Sequence, residues 1–249
     1  MELNNYFLLH PRVAIAFSGG VDSAYLLYAA VNYAEKVCAY YVKSAFQPQF
    51  EMDDAKRMAK QLRADLTVIE VDMLQCPQIT ANPADRCFFC KKLIFSKIAE
   101  QALKDGFNTL LDGTNASDDP SDRPGMKALN ELSVLSPLRE CGLTKEEIRR
   151  RSKEAGLFTW DKPAYACLAT RIPTGEAITK ENLECTERAE DFLFSLGFVD
   201  FRVRMAGTAA RLQIPASQFE RLINNRTAIV QELKRYYSAV TLDLEARNE

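Results

Sequence analysis

Histidine and tryptophan are nearly missing from this chain of 249 residues: one of each occurs, His10 and Trp160. A zinc site that needs a histidine ligand is therefore poorly supplied. There is no basic excess, with 32 Lys+Arg against 34 Asp+Glu and a net charge of −2. That weakens the reading of a general nucleic-acid binder without excluding it, because a local basic patch can sit within a neutral total. No uncharged apolar run approaches the roughly 18 residues that span a bilayer. The nearest, Ser23–Ala34, contains Asn32. The N-terminal MELNNYFLLHPR has no basic segment leading into a long apolar one, so neither a signal peptide nor an anchor is expected. The expected location is the cytoplasm. Apolar residues at 47% and charged residues at 27% exclude a disordered or collagen-like chain.

Short apolar runs alternate with amphipathic segments over the first 158 residues. Val13–Phe17, Val37–Val42, Leu66–Val71 and Thr109–Leu111 read as strands. Asp22–Ala34, Met52–Ala64 and Phe88–Lys104 read as helices between them. A loop is expected between the third strand and the last of these helices, through Pro83. Such alternation indicates an α/β domain with a parallel sheet covered on both faces. Asp112–Gly125 is dense in Asp, Gly, Pro, Asn and Ser and reads as a loop. It follows a strand of that sheet, where ligands of such sheets bind. Thr144 opens a capping box with Glu147, so a helix is expected over 145–155. The domain boundary is placed at residue 175. Residues 176–249 then read as a small α+β domain for substrate binding or oligomerisation. It has a helix over Lys180–Leu196, strands over Phe201–Met205, Ala210–Ile214 and Ala239–Leu244, and further helices between the last two.

Ser18-Gly-Gly-Val-Asp-Ser23 lies between the first strand and the first helix. Gly19 and Gly20 allow unusual backbone angles and close approach of an anion. Backbone N–H groups of the turn and of the helix start aim at such an anion. Ser18 and Ser23 add hydroxyls, and Asp22 suits a helix cap or an orienter of Mg²⁺. The Gly-Lys-[Ser/Thr] ending of a Walker A loop is absent. The segment instead resembles the PP-loop of the N-type ATP pyrophosphatases. That group includes GMP synthetase, NAD synthetase, argininosuccinate synthetase and several tRNA-thiolating enzymes. The resemblance implies a Rossmann-like fold and cleavage of ATP between its α and β phosphates. A substrate is adenylated, pyrophosphate leaves, and a nucleophile then displaces AMP.

The chain holds seven cysteines, and disulfides are not expected in a cytoplasmic protein. Cys38 sits in an apolar run and reads as core. Cys76, Cys141 and Cys185 show no partner spacing. Cys87 and Cys90 form a CxxC pair at a loop–helix junction, and Cys167 stands in a distant loop. Three thiolates leave one iron of a cluster open for chemistry, whereas a closed zinc site would need a fourth ligand, for which Cys76 is a candidate. A redox dithiol or two core thiols are the simpler alternatives for the pair alone. Arg202 and Arg204 alternate in a strand-like run, so they share a face, and paired guanidiniums suit a bridging anion. A solvated strand face is the plain alternative. Lys91 and Lys92 suit either charge neutralisation or a helix start, and Trp160 suits core or site. Glu190 reads better as a solvated helix charge.

Arg86-Cys-Phe-Phe-Cys-Lys-Lys92, Asp112-Gly-Thr-Asn-Ala-Ser-Asp118 with Arg123-Pro-Gly125 and Ser136-Pro-Leu138, and Trp160-Asp-Lys-Pro-Ala with Cys167-Leu-Ala-Thr-Arg-Ile-Pro173 and Gly175 follow the PP-loop in order. Together they resemble the LarE family over residues 10–245. These are ATP-dependent sulfur transferases of nickel-pincer nucleotide cofactor biosynthesis. The resemblance implies adenylation of a carboxylate of pyridinium-3,5-biscarboxylic acid mononucleotide, with ATP and Mg²⁺, followed by sulfur insertion. One branch of the family gives up the sulfur of a single cysteine, at the position matching Cys167. The other carries three cysteines that resemble ligands of a [4Fe-4S] cluster, able to carry an extra sulfide. Cys87, Cys90 and Cys167 place this chain with the second, as catalytic residues and cluster ligands.

The resemblance further implies ATP binding by Ser18, Gly19, Gly20, Asp22, Ser23, Gly113 and Thr114. It implies phosphate or substrate binding by Arg171, Arg202 and Arg204, with Asp118 as the candidate Mg²⁺ ligand. It also implies a homo-oligomer, a hexamer in the family. The alternative is a PP-loop tRNA thiolase with a cluster, against which the acidic balance and the lack of a recognisable RNA-binding appendage count. An NAD-synthetase-like ligase would have no use for CxxC. An ATP-binding regulatory domain would need neither Cys167 nor paired strand arginines.

Overall fold

The computed structural model describes residues 2–118, 124–245 and 247. The chain divides into two compact units, Met1–Asp72 with Asp85–Lys162, and Met73–Ala84 with Pro163–Glu249. The expected line at residue 175 therefore falls inside the second unit. Two stretches explain this. Asn82 donates through its side chain to Pro173 O at 2.8 Å, and its own carbonyl accepts from Gly175 N–H at 2.9 Å. Ile178 N–H reaches Thr80 O at 2.8 Å. These bonds tie 73–84 to the 163–178 stretch.

The first unit contains helix α1 (Leu3–Leu9), strand β1 (Arg12–Ala16), α2 (Val21–Tyr33), β2 (Lys36–Lys43), α3 (Gln49–Leu62) and β3 (Asp65–Glu70). The second unit contributes the one-turn helix α4 (Pro77–Thr80) next in sequence. The first unit resumes with α5 (Arg86–Lys104), β4 (Leu110–Leu111), α6 (Pro124–Glu131), α7 (Pro137–Glu140) and α8 (Lys145–Glu154). Its sheet is parallel throughout, in the order β3-β2-β1-β4. Both faces are covered, which is why β1 and β2 read as nearly continuous apolar runs. Alternate residues still divide between the faces. Val13 and Ile15 pack in a core with Phe7, Leu26, Leu27 and Met58. Ala14 packs in the opposite core with Tyr40, Phe95, Ile98 and Leu129. Cys38 is buried in that second core, as expected of a structural thiol.

Besides the single turn α7, three helices lie where none was expected. Leu3, Tyr6 and Phe7 recur at helical spacing and are buried, which seats α1. Ala128 and Leu129 are buried in α6, whose start at Pro124 overlaps only the end of the loop expected over Asp112–Gly125. The third is α4, in the supposed loop before Pro83. Thr144 caps the helix as expected, its Oγ1 accepting from Glu147 N–H at 3.3 Å, while the Glu147 carboxylate pairs with Arg150 and Arg151.

The second unit continues with α9 (Lys180–Ser195), β5 (Arg202–Ala206), β6 (Ala209–Gln213), α10 (Phe219–Asn224), α11 (Arg226–Leu233) and β7 (Val240–Leu242). β5 and β6 form an antiparallel hairpin, and β7 joins β6 in parallel. Ala189 and Leu193 of α9 pack with Phe198, Phe201, Val203 and Leu212 in a core of their own. No described helix is long and apolar enough to cross a membrane.

Candidate functional site

The strand-to-helix turn of the first unit is built as an anion cradle. Gly19 has φ +73, a conformation that side chains with a Cβ rarely adopt. Ser18 N–H donates to Ser23 Oγ at 3.2 Å, the two hydroxyls lie 3.0 Å apart, and Ser23 Oγ donates to Gly20 O at 3.2 Å. The serines thus brace the turn. A Cβ on Gly20 would meet only Ser18 Oγ, at 3.4 Å, so the space over Gly20 is open to a ligand atom.

Asp22 does not cap α2, whose N-cap is Gly20 with no side-chain bond. Its Oδ2 accepts from Lys145 Nζ at 2.6 Å. Its Oδ1 is buried with no hydrogen-bond partner. An unsatisfied buried carboxylate oxygen calls for a donor or a hard cation. The cradle and this oxygen both fit a magnesium–polyphosphate.

Residues 112–118 lie directly against this turn. A Cβ on Gly113 would stand 2.9 Å from Ser23 N, so only glycine lets the two backbones approach this closely. Asp112 holds the loop's shape, accepting from Thr114 Oγ1 at 2.5 Å and Ser136 Oγ at 2.6 Å. Asp118 Oδ2 accepts from Asn115 N–H at 3.1 Å, and Asp118 O accepts from Arg139. Lys145 N–H donates to Ser117 Oγ at 3.0 Å. Lys145 is therefore tied to both the PP-loop and this loop, although no motif singled it out. Arg123 lies outside the described residues.

Cys87 and Cys90 stand in the first turns of α5, three residues apart and so on one side of the helix, near the end whose dipole favours negative charge. Cys87 is exposed and Cys90 half-buried. Lys92 pairs with Glu131 at 2.9 Å and lies over the Phe88 ring, as does Lys127. Trp160 is half-buried, with Lys153 Nζ 4.5 Å from its ring centre. In the second unit Cys167 precedes a 3₁₀ turn over Leu168–Arg171. Within neither unit do three His, Cys, Asp or Glu side chains converge among the described residues. Thiols are donors of the kind iron–sulfur ligation takes, and Cys87 and Cys90 supply two of them within the first unit.

The second unit concentrates positive charge around Cys167. Arg171 is 1% exposed. Expected as a phosphate ligand, it has internal partners instead. Nε and Nη2 grip Glu190 at 2.8 and 3.0 Å, and Nη1 donates to Ala166 O and Thr170 Oγ1, each at 2.8 Å. Burial works against its charge, but the Glu190 pair outweighs it and holds the Arg171 pKa above the usual value. Arg202 donates to Ala164 O at 2.5 Å and Arg204 to Thr170 O at 2.6 Å. Burial, with Arg171 and Arg247 nearby, pushes Arg202 down to about 10. The same causes, joined by Arg211, lower Arg204. For both arginines burial is the largest cause, and the neighbouring guanidiniums add to it.

Glu190 corrects an expectation. It is 1% exposed rather than solvated, and it joins Arg171, Tyr165 OH and Val203 N–H. Tyr165 was not singled out at all. Its ring lies under Arg171 at 4.5 Å and Arg202 at 5.2 Å. The helix periodicity of α9 carried a signal for Glu190, since it follows buried Ala189 and precedes buried Leu193.

Residues 12–84 match the family of the queuosine biosynthesis protein QueC. An uncharacterized protein of Synechocystis is 36% identical over 98% of this chain and 92% of its own length. Pyridinium-3,5-bisthiocarboxylic acid mononucleotide synthase of Lactiplantibacillus plantarum is 32% identical over 94% of this chain and 86% of its own length. The tRNA-specific 2-thiouridylase MnmA of a Thermotoga species is 26% identical over 61% of this chain and 54% of its own length. The synthase match spans both units, the QueC match begins at β1 and includes the PP-loop, and the chain accordingly belongs to the LarE family of PP-loop enzymes, the ATP-dependent sulfurtransferases.

Proposed function

We propose that this enzyme adenylates a carboxylate of pyridinium-3,5-biscarboxylic acid mononucleotide with ATP and Mg²⁺ and converts it to a thiocarboxylate. The observation that carries the reading is the near full-length similarity to a synthase of the bisthiocarboxylic acid mononucleotide, joined to an open phosphate cradle at Gly20. Ser18, Gly19, Gly20 and Ser23 shape the phosphate site, Gly113 and Thr114 flank it, and Asp22 would hold the metal ion, with Asp118 as a further ligand. A substrate carboxylate oxygen attacks the α-phosphorus, and pyrophosphate leaves. Sulfur then adds to the activated carbonyl carbon and AMP departs, so the acyl carbon exchanges oxygen for sulfur. Arg202 and Arg204 supply the positive field for the nucleotide phosphate.

Cys87, Cys90 and Cys167 would hold a [4Fe-4S] cluster, which would supply sulfide for transfer. The thiol-rich chain suits a reducing cytoplasm and acts as a homo-oligomer. A tRNA thiolase is the weaker reading, because the MnmA similarity stops well short of the full chain.

The test has two arms. ATP–pyrophosphate exchange is measured with the pyridinium dicarboxylate mononucleotide against bulk tRNA, and stimulation by tRNA alone sinks the substrate assignment. Iron, acid-labile sulfide and zinc are counted after anaerobic reconstitution. About four irons per chain support the cluster. Stoichiometric zinc without iron makes the CxxC pair structural and Cys167 its own sulfur donor. Cys87→Ala, Cys90→Ala and Cys167→Ala are each expected to abolish multiple turnover. Catalytic sulfur transfer by Cys87→Ala contradicts the cluster role.

A further inference from the structure

The residues around Cys167 form one hydrogen-bonded unit within the second compact unit. The Glu190 carboxylate accepts from Arg171 Nε and Val203 N–H on one oxygen and from Arg171 Nη2 and Tyr165 OH on the other. Through these bonds α9 and β5 hold the segment carrying Cys167. Arg171 then reaches Ala166 O at 2.8 Å and Cys167 O at 3.4 Å through Nη1. Thr170 Oγ1, itself an acceptor from Arg171, donates to Cys167 O at 2.8 Å. Arg202 and Arg204 hold the carbonyls of Ala164 and Thr170 on either side. The guanidinium fork therefore grips main-chain oxygens next to the thiol, a geometry that lysine cannot reproduce.

We propose that the buried Glu190–Arg171 pair is a positioning device that sets the Cys167 thiol, with Tyr165 as its third member. This rests on the reading of Cys167 as a sulfur-handling residue. The pair touches no reacting atom; it acts through the backbone of Ala166 and Cys167. Glu190 is suited to this because both of its oxygens face two donors each. A glutamine of the same shape turns one of those acceptors into an NH₂ group facing donors, which breaks the grip without opening a cavity.

Glu190→Gln and Tyr165→Phe test the proposal. The metal-free proteins are treated with iodoacetamide, and labelling of Cys167 is followed by peptide mass spectrometry, with Cys87 of the first unit as internal reference. Losing the grip is expected to change the Cys167 rate in Glu190→Gln at least about fivefold, the scale of one buried hydrogen bond. The Cys87 rate is expected to stay within about twofold, because α5 carries no member of the Glu190 network. Tyr165→Phe, which deletes one donor and keeps the ring, is expected to shift Cys167 in the same direction by less. After reconstitution, the electron paramagnetic resonance spectrum of the reduced protein, compared at matched iron content, is expected to differ from wild type. If Glu190→Gln does not fold by circular dichroism, Tyr165→Phe decides. Cys167 labelling within about twofold of wild type in a folded variant, with identical spectra, overturns the proposal. So does a joint rise at Cys87 and Cys167, which marks general loosening. Wild-type protein that takes up no iron defeats the cluster reading, and the labelling comparison on metal-free protein still decides the positioning.

Discussion

Gly113 offers the sharpest test of how the ATP site is assembled. Alanine there places its Cβ 2.9 Å from Ser23 N, 3.2 Å from Ser23 Cα and 3.3 Å from Asp22 C. All three are main-chain atoms at the start of α2, so no rotamer change relieves the contact. Overpacking costs about 1–3 kcal/mol, and contact with backbone belongs in the upper half of that range. Alanine returns about 0.4–1 kcal/mol by restricting the unfolded chain. The net loss is roughly 1–2.5 kcal/mol, or roughly 2–10 °C in melting temperature for a protein of this size. Gly20→Ala is the contrasting change. Its backbone, φ −81 and ψ 169, suits alanine, and its Cβ meets Ser18 Oγ at an ordinary 3.4 Å.

Gly20→Ala is therefore expected to melt within about 2 °C of wild type or slightly above it. The added methyl nevertheless occupies the open side of the cradle. Saturating Mg·ATP at about 100 times its dissociation constant stabilises a binding protein by about 2.7 kcal/mol. That shift is expected in wild type and lost in Gly20→Ala, along with ATP–pyrophosphate exchange. Scanning fluorimetry with and without Mg·ATP reads both effects. A Gly113→Ala protein that melts like wild type refutes the seating of residues 112–118 on α2. A Gly20→Ala protein with the full ATP shift refutes the placement of phosphate over Gly20.

Lys145→Met removes the cation from Asp22 Oδ2 and leaves that carboxylate without its ion-pair partner. The pair is partly exposed, so the stability loss is expected near 1 kcal/mol, read from the denaturant midpoint. Exchange activity is expected to fall by more than that loss explains, and parallel declines would mean that Lys145 is only structural. The Cys185 thiol on α9 is pushed up by burial, with Glu181 adding to it. The folded state then holds this proton more tightly than the unfolded chain. Its contribution to stability is complete at neutral pH and is lost as pH rises through the raised value. Alkylation of Cys185 should accordingly show a pH midpoint above the ordinary 9.0. A midpoint at or below that value contradicts the burial argument.

Short-range chemistry was legible in the sequence. Six consecutive residues, SGGVDS, sufficed to place an anion cradle, because strand, turn and helix start are neighbours along the chain and glycine's backbone freedom is a local property. The CxxC spacing put two thiols on one helix side for the same reason, although α5 begins at Arg86, slightly earlier than expected. Thr144 and Glu147 announced their helix through a bond spanning three residues. The alternation of apolar runs likewise determined a parallel α/β sheet, since both faces of its strands must be covered.

What the sequence left open were partnerships between residues distant along the chain. Asp22 and Lys145 are 123 positions apart, and nothing local in either announces the other. Glu190 read as a solvated charge because a lone carboxylate on a helix usually is one. Only packing against Arg171, Tyr165 and Val203 makes its burial affordable, by satisfying both oxygens. The stretch 73–84 read as a loop of the first domain because chain order places it there. It belongs to the second unit because Asn82 and Thr80 find their hydrogen-bond partners near residues 172–178. Local sequence thus determined the cradle, the thiol pair and the sheet, whose geometry closes within a few residues. The tertiary structure alone decided which charges are neutralised and which backbone each arginine grips, because burial and pairing depend on what the rest of the chain brings alongside.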